Sequence, residues 1–267
     1  MAILRRSVSI PGHRNLNLTD DAMTNTASQR TPLVSVVTVV YNAVKEIEPT
    51  ILSVLPFRNE DVEYVVIDGG STDGTVEVIR KYASQIDFFL SEPDKGIYDA
   101  LNKGVAAARG HYVTTINVGD RLLRVPLEEI RGAFAANVDV AMFGVEIAKG
   151  NVFLSLADWR LRYVNTVHHQ GAFYRRTADL KYDTQFKVYA DFDLNQRYFK
   201  AGRKFLGFET TVSTHETTGI SFNKRHFPEY YSIARKNFGP IYLILCMLYH
   251  KYSLVRHYIG KMVRRLM

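Results

Sequence analysis

Three short apolar runs, each ending in a cluster of Asp, Asn and Gly, follow one another between Val34 and Asp120. They read VSVVTVVYNA, VEYVVIDGGSTDGT and HYVTTINVGD. Continuous β-branched runs of this length are typical of strands buried on both faces of a parallel sheet. Stretches with helical spacing separate them, which predicts an α/β fold with helices on both faces. Because ligands bind at the carboxyl ends of such strands, we expect the polar clusters to share one site.

The composition is that of a globular protein. The chain has 267 residues, of which 46% are hydrophobic, enough for one large domain with a core. A single cysteine, Cys246, excludes an intrachain disulfide and fits a reducing compartment, so a cytoplasmic location is expected. The polar first thirty residues contain no apolar core segment, which predicts a flexible tail over residues 1–31 and no secretory signal.

The net charge of +7 is compatible with nucleic acid, anionic lipid or an acidic ligand as a partner. Residues 256–267 hold four of the basic residues and no acid. The nine apolar residues from Ile241 to Tyr249 are too few to span a bilayer, which needs about 20. We therefore predict that residues 226–267 form a basic amphipathic helical segment. It lies on an anionic membrane surface or, alternatively, packs on the domain.

The loops after the first two runs carry candidates for nucleotide binding. Tyr41 can stack on a base and Asn42 can fix the turn, although an aromatic side chain that packs locally is an equal alternative. Asp68 can accept hydrogen bonds from a ribose or a base, and Gly69 allows a ligand to approach the backbone. Asp73 is interpreted as a cap of the following helix.

A third cluster lies before and within the helix predicted from Ile97. Lys95 can offset the charge of a diphosphate and Gly96 can allow close approach, or the two simply form a β-turn. Asp99 and Asn102 are three residues apart and therefore lie on one helix face.

The third run ends at Asn117 and Asp120, whose side chains offer oxygen ligands for a divalent cation. Mg²⁺ and Mn²⁺ often take one or two carboxylates together with phosphate oxygens, and Asp120 can supply one. A strand-ending turn is an equal interpretation of this loop. Far along the chain, His215 can donate to a phosphate or bind the cation, or be a satisfied loop histidine.

Two further motifs lie in the second half. His168, His169 and Gln170 precede a short apolar run, and on a strand the two adjacent histidines would point to opposite faces, one of them toward a sugar. Asp191 and Asp193 stand at a predicted helix start. They can serve as a general base and its support, or cap the helix and interact with its dipole.

Together these motifs resemble family 2 glycosyltransferases of the GT-A fold over roughly residues 32–221. VSVVTVVYNA and VVIDGGSTDGT are similar to the family's first two motifs. SEPDKGIYDALNKGVAAARG resembles a subgroup of bacterial exopolysaccharide enzymes of the colanic-acid type, and HHQGAFYRR resembles its acceptor-side strand. YADFDLNQRYFKAG is similar to the family's Glu-Asp-x-Asp-Leu segment, with Ala190 in place of the Glu. INVGD stands where the family has Asp-x-Asp, and of those acids only Asp120 remains.

The resemblance implies a mostly parallel central sheet flanked by helices, with a Rossmann-like nucleotide-binding half and an acceptor-binding half within residues 32–225. It implies inverting transfer of a sugar from a nucleotide-diphosphate sugar to a hydroxyl of a glycan or lipid-linked acceptor, in bacterial polysaccharide biosynthesis. Asp191 is the implied catalytic base, and Asp120 and His215 the implied ligands of Mg²⁺ or Mn²⁺. His169 and Gln170 are placed on the acceptor side. The implied donor-binding residues are Val39, Tyr41, Asn42, Asp68, Gly69, Lys95, Gly96, Asp99, Asn102 and Asn117.

Two other classes of protein stay open. A non-catalytic nucleotide-sugar-binding relative would account for the reduced Asp-x-Asp motif and the missing Glu. A basic nucleic-acid-binding protein would account for the net charge, but the chain contains no recognisable motif of that kind. We therefore expect no nucleic-acid partner.

Overall fold

The computed structural model describes residues 23–24, 30–147, 150–215 and 224–266. Four parallel strands form the first half of its sheet, in the spatial order β4-β3-β2-β5. They are β2 (Val34–Val40), β3 (Val62–Asp68), β4 (Phe88–Ser91) and β5 (Tyr112–Thr115). Every residue of β2 and β3 is buried, as the continuous apolar runs predict. A short strand, β1 (Met23–Thr24), pairs antiparallel with β4, and the rest of the predicted N-terminal tail lies outside the described residues, apart from residues 30–31.

The second half of the sheet is mixed. It consists of β6 (Arg121–Leu122), β7 (Val140–Ile147), β8 (Asn151–Phe153), β9 (Ala172–Arg175) and β10 (Phe205–His215). The order continues β5-β9-β7-β10-β6, with β8 beside β7. Only β7 and β10 are parallel here; β9 runs antiparallel to both β5 and β7. The parallel arrangement thus belongs to the nucleotide-binding half predicted from the sequence.

Helices cover both faces of the sheet, as predicted. They are α1 (Ile47–Val54), α2 (Thr75–Arg80), α3 (Ile97–Ala107), α4 (Leu127–Ala135) and α5 (Ala190–Lys200). Alternate residues of β2 point to opposite faces. Val37 and Val39 pack in one core with residues of α3 and α5, whereas Val36 and Val40 pack in another with residues of α1, α2 and α4.

Two helices follow the sheet, α6 (Phe227–Phe238) and α7 (Pro240–Leu266). The buried residues Tyr230, Ile233 and Ala234 of α6 and Cys246 of α7 belong to the same core as α5. The predicted C-terminal helical segment is therefore joined to the domain through α6. Within the part of the chain that the structure describes, no helix combines the length and apolarity needed to cross a membrane.

Candidate active site

A cavity of 760 Å³ opens at the carboxyl edge of the parallel strands. Its walls come from both halves of the fold: the end of β2, the start of α3, the loop after β5, the segment before β9, the start of α5 and the end of β10. The place agrees with the rule that α/β sheets bind ligands beyond the carboxyl ends of their strands. The predicted polar clusters after β2 and β5 therefore do meet at one site.

Eight of the residues predicted to act in the site line this cavity. They are Val39, Tyr41, Gly96, Asn117, Asp120, His169, Asp191 and His215. Seven others do not form part of its wall: Asn42, Asp68, Gly69, Lys95, Asp99, Asn102 and Gln170. Most of this second group hold the surrounding loops in place.

Asp68 is completely buried at the end of β3. Its carboxylate accepts hydrogen bonds from Gly70 N (3.0 Å), Ser71 N (2.9 Å), Ser71 Oγ (2.5 Å) and Ser91 Oγ (2.7 Å). Four donors nearly fill the acceptor capacity of a carboxylate. In this arrangement Asp68 fixes the loop after β3.

Asn42 and Asp73 connect the first two loops. The Asn42 side chain accepts a hydrogen bond from Thr72 N (2.9 Å), and its backbone N–H donates to Ser71 Oγ (2.8 Å). Asp73 accepts from Thr75 N (3.0 Å) and Val44 N (3.1 Å). Asn42 therefore fixes the turn, and the predicted structural role of Asp73 is confirmed: although Gly74 is the N-cap residue, Asp73 binds the first N–H of α2.

Asp99 and Asn102, on one face of α3, form hydrogen bonds to the backbone of neighbouring segments. Asp99 accepts from Lys95 N at 3.1 Å. Asn102 makes two bonds to the backbone of Tyr182, donating to its carbonyl (2.9 Å) and accepting from its N–H (2.8 Å). Asn102 thus docks the segment before α5 onto α3.

The loop after β5 presents Asp120 to the cavity. Gly119 has a φ of +93°, a conformation that favours glycine, and its N–H donates to Thr50 Oγ1 of α1 at 3.0 Å. Asp120 is only 5% exposed. Gln170, which is fully buried, donates a hydrogen bond from Nε2 to Asp120 Oδ2, and His215 Nδ1 lies 3.3 Å from Asp120 Oδ1.

These residues fit a divalent cation that also binds phosphate oxygens. Asp120, directly before β6, offers a carboxylate, and His215, at the end of the neighbouring strand β10, offers an imidazole. Among the described residues no group of three or more His, Cys, Asp and Glu is arranged around a metal position. A site with two protein ligands is nevertheless typical of Mg²⁺ or Mn²⁺ in phosphate-binding enzymes, where the substrate completes the coordination. The buried amide oxygen of Asn117, which has no hydrogen-bond partner among the described residues, is a further oxygen at the same loop.

The histidine pair differs from the prediction. Strand β9 begins only at Ala172, and residues 169–171 form a turn of 3₁₀ helix. The rings of His168 and His169 therefore stack, with centroids 5.1 Å apart, and both line the cavity instead of pointing to opposite faces. Burial lowers the pKa of His169 and holds that of His168 well below its usual value. Both rings are consequently neutral at neutral pH.

Asp191 lies in the first turn of α5 and faces the cavity. Asn165 Nδ2 donates to its Oδ2 at 2.9 Å, and the Tyr98 hydroxyl lies 3.3 Å from its Oδ1. His169 Nδ1 is 4.0 Å from Oδ2. Burial, followed by the charge of Asp191, raises the pKa of Tyr98 well above its usual value, so its hydroxyl remains a donor.

Asp193 points the other way, because two residues on an α-helix are separated by about 200°. It is fully buried and binds Arg197 Nε (2.8 Å), Lys236 Nζ (3.1 Å) and Asn237 Nδ2 (3.1 Å). Asp193 joins α5 to α6. Of the two candidate carboxylates, only Asp191 is available to a ligand.

Several cavity residues were missed from the sequence, among them Tyr98, Asn165, Tyr189 and Tyr230. Asn165 lies in an irregular stretch that carries no periodic signal, and Tyr230 is far away in the chain. Asp94 also lines the cavity, and a Cβ atom at Gly69 would lie 2.4 Å from its carboxylate. Asp94 directly precedes Lys95 and Gly96, so the same Asp-Lys-Gly sequence could have predicted Asp94 as a residue of the site.

The cavity lies between a parallel half-sheet and a mixed half-sheet, at the edge where α/β proteins bind their ligands. Residues 35–206 match the family described as Glycosyl transferase family 2, and the chain belongs to that family. An uncharacterized glycosyltransferase of Mycobacterium tuberculosis is 30% identical over 175 residues, which cover 60% of this chain and 66% of the relative. The chain thus spans slightly less than two thirds of that relative's length.

Solved structures show the same fold. TarS of S. aureus in complex with UDP has a TM-score of 0.58 and 18% identity, covering 76% of this chain and 64% of TarS. The mannosyltransferase PcManGT of Pyrobaculum calidifontis, in complex with GDP-Man and Mn²⁺, has a TM-score of 0.57 and 18% identity, covering 84% of this chain and 70% of the other. The expected GT-A fold is confirmed.

Proposed function

We propose that the chain is an inverting glycosyltransferase that moves a sugar from a nucleotide-diphosphate sugar to a hydroxyl of a glycan or lipid-linked acceptor, in bacterial polysaccharide biosynthesis. The observation that carries the proposal is the pair of carboxylates in one cavity. Asp120, beside His215, belongs to the strand-end loop, and Asp191 faces the same cavity from α5. Family membership, and nucleotides bound to two proteins of the same fold, support a nucleotide-sugar donor.

In this proposal Asp191 is the general base. It takes the proton of the acceptor hydroxyl as that oxygen forms a bond to the anomeric carbon, while the bond from that carbon to the diphosphate oxygen breaks. Attack from the face opposite to the diphosphate inverts the configuration. Asn165 and Tyr98 hold the Asp191 carboxylate toward the cavity. General-base catalysis of this kind typically contributes about 10²–10⁴-fold.

The donor would lie along the opposite wall. Asp120 and His215 would hold Mg²⁺ or Mn²⁺, which would supply positive charge to offset the charge that develops on the leaving diphosphate. Mn²⁺ in PcManGT supports a divalent cation of this kind. Tyr41, 62% exposed at the end of β2, and Asp94 are available to the nucleoside, the first by stacking and the second by accepting hydrogen bonds.

Asp191→Asn tests the base directly. The amide keeps the shape of the carboxylate and cannot accept the proton, so transfer should fall by about 10²–10⁴-fold. Binding of the donor, measured by calorimetry, should change less than twofold because Asp191 does not hold the nucleotide. A variant that transfers sugar at near-normal rates would show that another group is the base.

The donor and the metal are tested by measuring release of nucleoside diphosphate from a panel of nucleotide sugars, with Mn²⁺, with Mg²⁺ and with a chelator. Slow release from one donor, dependent on the cation, is the expected result. Binding of a donor without release, even with lipid-linked and glycan acceptors added, would favour the non-catalytic relative. Absence of both binding and release would overturn the nucleotide-sugar proposal.

The acceptor proposal extends to a membrane surface. Apolar residues are exposed along α7, namely Ile241, Ile244, Leu245, Met247, Leu248 and Tyr252. A second exposed group follows β8, with Leu154, Leu156 and Trp159. Contacts between aromatic rings connect the two groups. The ring centroids of Trp159 and Tyr163 are 5.6 Å apart, and those of Tyr163 and Tyr249 are 6.0 Å apart. We call these residues the apolar surface.

Anionic lipid is the partner proposed for the apolar surface, at the cytoplasmic face of the membrane. From Pro240 onward the chain contains five Lys and Arg residues and no acid. Exposed Trp and Tyr beside basic residues suit the headgroup region of a bilayer. Phe153, next to Leu154, lines the cavity, so the apolar surface reaches the rim of the site, where a lipid-linked acceptor would enter.

Vesicle flotation tests this contact. The protein should float with vesicles of phosphatidylcholine and phosphatidylglycerol and much less with phosphatidylcholine alone. Replacing Trp159 and Leu248 together by Ser should abolish flotation, whereas Leu52→Ser, an equally exposed apolar residue on α1, should have no effect. Equal flotation of both variants would contradict the assignment of the surface.

A further inference from the structure

Glu229 lies outside the cavity wall, in the first turn of α6, and binds the backbone that precedes Asp191. Its Oε1 accepts hydrogen bonds from Val188 N and Tyr189 N, each at 2.8 Å, and its Oε2 accepts from Lys187 N at 2.7 Å. Three consecutive backbone donors thus converge on one carboxylate. Bonds of this kind, to a charged acceptor, are stronger than those between neutral groups.

The three bonded residues lead directly into α5. Tyr189 is the residue before the helix, and Asp191 follows in the first turn. The backbone from 187 to 189 therefore determines where α5 begins and in which direction the Asp191 side chain leaves it. Glu229 is the group that holds this backbone from α6.

A second contact passes through Tyr98. Its hydroxyl lies 2.6 Å from Val188 O and 3.3 Å from Asp191 Oδ1. Glu229 fixes the N–H of the same Val188. A shift of this segment would therefore move the Tyr98 hydroxyl and the Asp191 carboxylate together.

We propose that Glu229 is a positioning residue for the reaction: by holding residues 187–189 it places the Asp191 carboxylate for proton transfer. The proposal rests on the role of Asp191 given under Proposed function. Glu229 itself does not touch the substrates. Its removal should therefore lower the rate of transfer and leave donor binding intact.

The first test compares Glu229→Ala and Glu229→Gln. Alanine removes both acceptor oxygens and with them all three hydrogen bonds. Glutamine can keep an oxygen toward Val188 and Tyr189 but places an NH₂ group against Lys187 N–H. Because a misplacement of about 1 Å can cost on the order of 10²-fold, we expect kcat to fall about 100-fold for Ala and about 10-fold for Gln. The donor KM should stay within about twofold.

Glu129 provides a matched control. It stands in the first turn of α4, accepts a hydrogen bond from Thr210 Oγ1 at 3.0 Å and does not line the cavity. Glu129→Ala should keep the rate of transfer. Thermal unfolding is recorded for every variant, and where Glu229→Ala does not fold, Glu229→Gln carries the comparison.

The second test separates positioning from general destabilisation by combining Glu229→Gln with Asp191→Asn. When the base is already absent, misplacing it should cost little more, so the double variant should transfer at close to the residual rate of Asp191→Asn. If the losses of the two single variants multiply in the double variant, the proposal for Glu229 is wrong. It is also wrong if both Glu229 variants keep kcat within twofold of the original protein. Either result would leave Asp191 as the base. Full activity of Asp191→Asn would instead overturn the proposed function.

Discussion

At the scale of single residues, the number of internal hydrogen-bond donors distinguishes the aspartates that hold the fold from those that face the cavity. Asp68 receives four donors and Asp193 three, all from the protein. Asp191 receives one clear bond, from Asn165, and a longer contact from Tyr98. A carboxylate has about four acceptor positions. Asp191 therefore keeps acceptor capacity for a substrate hydroxyl.

Asp120 gives a prediction at the same scale. Asp120→Ala removes the carboxylate beside His215, so a divalent cation held there would lose one of its two proposed protein ligands. We expect the affinity for nucleoside diphosphate to fall on the order of tenfold or more with Mn²⁺ present and to change little in chelator. Calorimetric titrations under both conditions measure this. An equal loss in the two conditions would mean that Asp120 acts without a cation.

The sequence could place Asp191, Asp120 and Tyr41 at the cavity because each follows a buried run or begins a helix, where side chains reach the end of the strands. It could not distinguish Asp68 from these, since its four partners depend on how the loop folds back. The rings of His168 and His169 were assigned to opposite faces because the short apolar run resembled a strand. A 3₁₀ turn without its own sequence signal places them on the same side.

At the scale of elements, the first half of the fold was more completely predictable from the sequence than the second. Strands β2 and β3 are buried along their whole length, so their continuous apolar composition indicates that they lie in the interior of the sheet. Strand β10 was missed because buried and exposed residues do not alternate regularly along it, and its pairing with β7 contains two register shifts. Antiparallel neighbours such as β9 depend on contacts between segments far apart in the chain.

The packing of α3 on β2 gives an element-scale prediction. A Cβ atom on Gly104 would lie 2.4 Å from Val37 Cγ1, so Gly104→Ala should push the helix away from the sheet. We expect a loss of about 1–3 kcal/mol in the free energy of unfolding, measured by denaturant titration. Gly132→Ala in α4 is the control, since its Cβ would meet nothing within 4 Å. It should be neutral or stabilise by about 0.5–1 kcal/mol, and equal effects of the two would contradict the close packing.

At the scale of the whole molecule, the site depends on parts that are distant in the chain. Tyr41 belongs to the parallel half, Asp191 to α5, His215 to the end of β10 and Tyr230 to α6, and all line one cavity. Disturbance of the overall fold should therefore reach the site. Because several histidines are buried, the stability of this fold should also depend on pH.

Burial is the largest cause of a lowered pKa in four histidines, His111, His168, His169 and His250. In the unfolded chain each has its ordinary pKa of about 6.5. Below that pH the unfolded state binds more protons than the folded state, so the free energy of unfolding should be constant above about pH 7 and fall as the pH drops below 6.5. Each histidine that binds a proton only in the unfolded state lowers the free energy of unfolding by at most about 1.4 kcal/mol per pH unit. The carboxylates with lowered pKa, such as Asp183, titrate below their ordinary value of 3.8 and do not affect this window.

Denaturant titrations at pH 8, 7, 6 and 5.5, in the presence of chelator, measure this dependence. His250→Gln should make the fall below pH 6.5 shallower, because it removes one of the histidines whose pKa is lowered by burial. His250 stacks on Phe227 at 4.4 Å, in the packing between α7 and α6, so the substitution will also lower stability at every pH. The two proteins are therefore compared by how steeply the free energy of unfolding falls with pH, and not by its absolute value. A protein that becomes more stable between pH 7 and 5.5 would show that the buried histidines are held by partners favouring their charged form.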